Sequence, residues 1–205
     1  MKKTEIENGI LYLASNDPKL AEIISKTGKC PLRPHNDYYN SLLQAIIGQQ
    51  LSMKAADSII KKFMSFFGGT PAPDIIIASD DQILRGLGLS NAKVKYIKDL
   101  SDKVASGKIT FKNISKKTDE QIITELTQVK GIGVWTAHMF LIFTLCRPDV
   151  LPVGDLGIKK AVMTNYKLKT LPDEKTVRKV SVKNNWAPFN SIASWYLWRS
   201  LEFKN

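Results

Sequence analysis

Two glycines one residue apart separate two stretches of helical pattern, in the segment Lys130-Gly131-Ile132-Gly133. The stretch before it, TDEQIITEL, opens on Thr118, a residue type that caps helices. The stretch after it, VWTAHMFLIFTLC, is apolar enough for a buried helix. Residues without a Cβ enter unusual backbone angles at little cost and let an outside group come close. Such a turn leaves several N–H groups open at the start of the second helix, where the helix dipole adds positive potential. An anion fits there, a phosphate above all. Further on, Pro152-Val153-Gly154-Asp155 places a carboxylate at the head of another helical pattern, DLGIKKAVMTNY.

Almost nothing alternates with period two, so the chain is expected to be all-α. Residues 75–77 and 109–114 are strand-like, and both are short. Helical patterns follow one another: TEIENGILYLA, capped by Thr4; DPKLAEIISKTG, with Asp17 as cap and Pro18 in the first turn; and YYNSLLQAIIGQQ, ending near Gly48. The polar, Pro-containing link KCPLRPHND is the natural crossing between lobes. Ser52 caps SMKAADSIIKKFMSFFGG, and two short helices come next. A second turn-into-helix unit has Gly86 and Gly88 before Ser90, with Lys93, Lys95 and Lys98 on its helix. It is a weaker echo of the Gly131 hairpin. The helices PDEKTVRKVSVKNN and APFNSIASWYLWRSLEF close the chain.

A formal net charge of +11 favours a polyanionic partner, nucleic acid first and an anionic membrane surface second. The lysines are spread along the chain, as a merely solvated surface would also have them. Cys30 and Cys146 form no CxxC or Cys/His cluster, which argues against a zinc site or a four-cysteine iron–sulfur cluster and leaves one disulfide open. Sparse cysteine suits a reducing compartment. No signal-peptide pattern opens the chain, and the apolar run at Met139–Cys146 is too short to span a bilayer.

A GxG turn alone is common, and an Asp before an apolar helix is usually a cap. Their combination is more specific. VKGIGVWTA followed by LPVGDLGIKKAV resembles the helix-hairpin-helix (HhH-GPD) DNA glycosylase superfamily, and GIGVWTA with PVGDLG looks most like its 3-methyladenine DNA glycosylase II, or alkylation-repair, type. Lys130 stands where that family often has Pro, which keeps the turn and adds a phosphate-seeking charge. The resemblance covers nearly the whole chain. It implies an all-α, two-lobed fold with the active cleft between lobes: residues 36–150 as a central bundle carrying the hairpin, and residues 1–35 plus 151–205 as the second lobe.

The resemblance also implies roles. Breaking a purine–deoxyribose bond builds positive charge on the sugar, and a carboxylate stabilises it and orients water. Asp155 is the catalytic candidate. Trp135 occupies the position at which relatives that also cut the strand carry a Schiff-base lysine, so no lyase activity is expected. Trp135 and Trp198 are the expected pocket walls, where an indole face attracts a cationic base by up to about 2 kcal/mol. Met139 stands where an aromatic is frequent, Asn190 where an Arg is. Trp186 and Trp195 read as core. The loop IGQQLSMKAA resembles the segment that enters the minor groove: Leu51 is the wedge that fills the gap of a flipped base, Gln50 the neighbouring candidate, Gln49 a pocket residue, and Ser52 either a base contact or a plain cap. The N–H groups of Gly131, Gly133 and Thr136 would hold a phosphate, with Gly88, Ser90 and Lys93 as further DNA contacts. Backbone carbonyls of Thr127, Val129 and Ile132 would hold sodium or potassium, and no cofactor is required.

The expectation is therefore a monofunctional DNA glycosylase that excises 3-methyladenine and 7-methylguanine in base excision repair. It would act as a monomer on double-stranded DNA carrying alkylated bases, with no membrane contact. It would be cytoplasmic, nucleoid-associated in a bacterium or archaeon, and nuclear in a eukaryote. The competing readings are a relative specific for another damaged base and a helix-hairpin-helix DNA-binding protein without catalysis.

Overall fold

The structure is a computed structural model that describes residues 1–203. Among these residues there are twelve α-helices and no strand. By packing, the chain divides into two units, Asp37–Phe140 and Met1–Asn36 with the chain from Leu141 onward.

The Asp37–Phe140 unit contains α3 (Tyr38–Gly48), α4 (Met53–Phe67), α5 (Pro73–Ala78), α6 (Asp81–Gly86), α7 (Asn91–Ala105), α8 (Asp119–Leu126) and α9 (Val134–Met139). Helix α7 is central and packs on α5, α3 and α6. Leu42, Leu43, Ile46 and Ile47 of α3 and Val94, Ile97 and Leu100 of α7 are buried at helical spacing. A polar pair on that seam is satisfied: Tyr39 Oη and Ser101 Oγ lie 2.7 Å apart. Burial pushes the Tyr39 phenol up to about 12. The strand-like residues 75–77 lie inside α5, and residues 109–114 run into a single 3-10 turn, Ile114–Lys116. Both are too short to pair, and Pro73 at the first helical position starts α5.

The other unit contains α1 (Lys3–Asn16), α2 (Pro18–Thr27), α10 (Leu156–Asn165), α11 (Glu174–Lys183) and α12 (Asn190–Ser200). Helix α12 is buried nearly all round and packs on α2, α10 and α1. Helix α1 approaches it closely because Gly9 has no Cβ; one would lie 2.6 Å from Ile192 Cδ1. Helix α1 starts earlier than Thr4 suggests: its cap is Lys2, whose N–H donates to Glu5.

Two expectations move. The helix after the hairpin is α only to Met139 and widens into a π segment, Phe140–Thr144. The wider turn ends it, with the Arg147 N–H reaching back to Leu141 O at 2.9 Å and the His35 N–H to Thr144 O at 3.1 Å. Residues 141–150, expected in the central bundle, pack with the chain ends instead. The start of α12 holds them. Ser191 N–H donates to Pro148 O at 3.0 Å, Val150 N–H to Ser191 Oγ at 3.0 Å and Asn190 Nδ2 to Asp149 Oδ1 at 2.6 Å. Asn190, in the place of an Arg, is thus a buried loop anchor that also accepts from Ser181 Oγ.

The polar hub of this unit is Asp17, fully buried. Its Oδ1 caps α2 by accepting the N–H groups of Lys19 and Leu20, as the Asp-Pro pair predicts. Its Oδ2 accepts from Tyr166 Oη and from Trp186 Nε1, the latter at 2.7 Å. Trp186 is core, as expected; Trp195 is only partly covered and packs edge-on against Tyr196. Burial, then the bond to Asp17, pushes the Tyr166 phenol far above its ordinary range. The thiols of Cys30 and Cys146 are both free. Asp17→Ala strands a buried indole N–H and removes a helix cap; we expect it to cost about 3 kcal/mol or more. Urea unfolding of the variant against the parent chain checks this.

Candidate functional site

In the Asp37–Phe140 unit the hairpin is built as its residues require. Thr118 caps α8 through a capping box with Gln121, and α8 ends at Leu126. Gly131 then takes φ +84, and a Cβ there would lie 2.2 Å from the Tyr96 ring. Gly133 is different. Its φ is −97, and a Cβ would meet no protein atom within 4 Å. Gly131 serves the fold, whereas the bare position at Gly133 leaves the head of α9 approachable. Among the described residues, no backbone carbonyl accepts from the N–H groups of Gly131, Gly133 or Thr136.

Helix α7 and the loop after α3 hold this turn. Asp99 Oδ2 accepts the Lys130 N–H at 2.9 Å and Lys103 Nζ at 2.7 Å, and the Lys130 ammonium stands 3.8 Å from Asp99 Oδ1. Burial pushes the Asp99 carboxyl up, but the bonds and charges of Lys103 and Lys130 outweigh it and hold Asp99 below the usual range. Gln49 Nε2 donates to Gly131 O at 2.7 Å. Tyr96, Asp99 and this bond carry no local sequence signal, since each acts across a large sequence separation.

Beside the turn lies a cavity of about 730 Å³, lined by Gln49, Gln50, Leu51, Gly131, Trp135, Thr136 and Met139, seven residues singled out from the sequence, and by Gln44, Ala45, Gly48 and Tyr96. Trp135 is 52 % exposed and Leu51 38 %. Gln50 has φ +57, a left-handed conformation that tightens the loop and sets Leu51 at its tip. Ser52 caps α4 by accepting the Ala55 N–H at 3.3 Å. Ser90 caps α7 in the same way and lines, with Gly88, an open depression of about 840 Å³. Lys93 is structurally committed, since its ammonium donates to Ile47 O at 2.7 Å, in the last turn of α3, and burial pulls its pKa down. Of the hairpin carbonyls, that of Val129 accepts the Ile132 N–H at 3.0 Å.

In the other unit Asp155 stands at the N-cap of α10, half-buried, where its Oδ1 accepts the Ile158 N–H at 2.7 Å. The same oxygen accepts Trp198 Nε1 at 2.8 Å. Trp198 therefore positions the carboxylate, and its ring stacks on Phe143 with centroids 5.7 Å apart. Gly157 makes the arrangement possible, since a Cβ there would lie 2.9 Å from both Asp155 Oδ1 and Trp198 Cδ1. Sequence reasoning passed over Gly157 and Phe143. A glycine in the first turn of a helix costs stability, and that cost was the available signal. Among the described residues no cluster of His, Cys, Asp and Glu is placed to hold a metal, and no helix is long and apolar enough to cross a membrane.

Residues 43–186 match the model of the family described as HhH-GPD superfamily base excision DNA repair protein. DNA-3-methyladenine glycosylase 1 of Schizosaccharomyces pombe is 34 % identical over 205 residues, covering 96 % of this chain and 88 % of that protein. The putative DNA-3-methyladenine glycosylase YfjP of Bacillus subtilis is 32 % identical, with 96 % of this chain and 71 % of that protein covered. Among solved structures, the Schizosaccharomyces pombe 3-methyladenine DNA glycosylase in complex with abasic DNA superposes with a TM-score of 0.83 at 33 % identity, covering 96 % of this chain and 97 % of that one.

The two hairpin glycines are expected to respond differently to alanine. Gly131→Ala meets both a positive φ and the Tyr96 ring and is expected to cost about 2–4 kcal/mol. Gly133→Ala meets neither and is expected to stay within about 1 kcal/mol of the parent chain. Thermal unfolding of the two variants separates the roles; equal losses would contradict the assignment.

Proposed function

The chain belongs to the HhH-GPD superfamily of base excision DNA repair proteins, and from that premise we propose that it is a monofunctional DNA glycosylase that hydrolyses the N-glycosidic bond of alkylated purines, 3-methyladenine and 7-methylguanine, in double-stranded DNA. The observation that carries this reading is the carboxylate of Asp155, fixed by the Ile158 and Trp198 N–H groups. A catalytic carboxylate works when its orientation is set before the reaction.

The steps follow from the residues in place. A phosphate settles on the open N–H groups of Gly131, Gly133 and Thr136, with Lys130 beside it. Leu51, exposed at the tip of its loop, fills the stack from which the damaged base has turned out. Trp135 and Met139 receive the base, the indole attracting its positive charge. As the base departs with its bonding electrons, positive charge grows on the sugar. Asp155 stabilises that charge and orients the water that adds to C1′. A cationic base leaves without a general acid, so one carboxylate suffices. A sodium or potassium ion on the carbonyls of Thr127, Val129 and Ile132 would stiffen the turn. The Val129 carbonyl keeps a lone pair for it beyond the one that Ile132 uses, and no step depends on the ion.

Asp155→Asn keeps a helix-capping oxygen and removes the charge. It is expected to lower single-turnover release of methylated base by about a hundredfold or more while duplex affinity stays within a few-fold. Activity near the parent level would remove Asp155 from the chemistry.

Trp135 cannot form a Schiff base, so borohydride is expected to trap no protein–DNA adduct, and product strands are expected to break only after alkali. A trapped adduct would mean that an amine elsewhere in the chain attacks the sugar.

A further inference from the structure

Three glutamines line the cavity beside the hairpin, and two of them, Gln44 and Gln49, have fixed amide orientations. Gln49 Nε2 donates to Gly131 O at 2.7 Å. A backbone carbonyl only accepts, so the carboxamide meets it through its NH2 group alone. Gln44 Nε2 donates to Asn40 Oδ1 at 3.1 Å, and Asn40 Nδ2 donates in turn to Asp37 Oδ2 at 2.7 Å. An ionised carboxylate also only accepts, so the relay from Asp37 through Asn40 orients Gln44 by chemistry. Flipping either glutamine would set two oxygens against each other. Each is left with its Oε1 to offer. No Lys, Arg or His is among the described residues that line this cavity.

We propose that Gln44 and Gln49 present these two carboxamide oxygens to the flipped base and select a purine with an amine at C6 over one with a carbonyl there. The proposal rests on the glycosylase reading and sharpens its substrate class. An amine at C6 donates to the oxygens, and a positive charge on the ring strengthens that bond. A carbonyl at C6 would face their lone pairs with its own, and an unmade bond in a desolvated pocket discriminates more strongly than lost packing does. Preference among cationic lesions then runs to methylated adenines over methylated guanines.

One preparation of methylated duplex DNA holds two matched pairs, 3-methyladenine with 3-methylguanine and 7-methyladenine with 7-methylguanine. Release of each by the full-length chain is followed by chromatography and divided by the spontaneous loss of that base from the same DNA. The adenine member of each pair is expected to show at least about a tenfold advantage in the parent enzyme. The Gln44→Leu, Gln49→Leu double variant is expected to narrow both ratios to within about threefold. Ratios near one in the parent enzyme, which needs no variant to fold, would overturn the proposal, as would ratios unchanged in a folded double variant. Release of no methylated base at all would sink the glycosylase reading itself, and the selectivity with it.

Discussion

A single carboxylate oxygen, Oδ1 of Asp155, begins one helix and is held by another. It caps α10 through Ile158 and accepts the indole N–H of Trp198 from α12, so neither helix can shift without moving the charge. Capping and the catalysis proposed for Asp155 do not compete. A cap needs the carboxylate near the helix start, and the proposed hydrolysis needs it in one orientation, which the Trp198 bond supplies. Gly157 is the cost of this closeness, a residue of poor helix propensity in the first turn because nothing larger fits beside Asp155 and Trp198. The neighbouring packing serves the same end. Phe143 backs the Trp198 ring, and the buried length of α12 keeps that ring from drifting.

The hairpin shows the same economy in the other unit. Its conformation is over-determined by α7: the Tyr96 ring fills the space that Gly131 leaves, and Asp99 takes the Lys130 N–H that the turn cannot satisfy internally. The phosphate binding proposed for this turn needs its N–H groups held in place before the ligand arrives, which costs least when the frame is rigid. Gln49 extends that frame. Its bond to Gly131 O ties the loop carrying Gln50 and Leu51 to the turn, so the group that would enter the stack and the group that would grip the backbone share one support.

What is legible in the sequence, and what is not, divides by range. Asp17, Ser52, Ser90, Thr118 and Asp155 all cap the helices their positions suggest, because a cap is a bond between residues two or three apart. The all-α character is legible for the same local reason. Thr4 misleads because Glu5 gives Lys2 a better start, a competition a residue or two wide. The bond of Asp99 to the Lys130 N–H, that of Gln49 to Gly131 O, and the approach of Phe143 and Gly157 to Trp198 are set by tertiary packing, which periodicity does not encode. The π segment is hidden because nothing in the apolar run FLIFT distinguishes five residues per hydrogen-bonded turn from four; the pull of His35 on Thr144 comes from elsewhere in the chain.

The charge surplus needs the same separation of local from long-range effects. Lys103 and Lys117 sit against carboxylates of Asp99 and Glu125 at 2.7 and 2.6 Å, and those pairs cancel at a distance. Lys93 and Lys62 are committed to something else. Their ammonium groups donate to Ile47 O and Gly86 O, at the carbonyl ends of α3 and α6. A carbonyl is neutral, so such a bond fixes the position of a lysine without cancelling its charge. These lysines stabilise helix ends locally and still contribute to the field that draws a polyanion from beyond contact range. A net charge of +11 is therefore compatible with many lysines being structurally employed. The field supplies attraction without sequence preference, so the proposed selection falls to neutral groups, the indole of Trp135 and the fixed amides beside it.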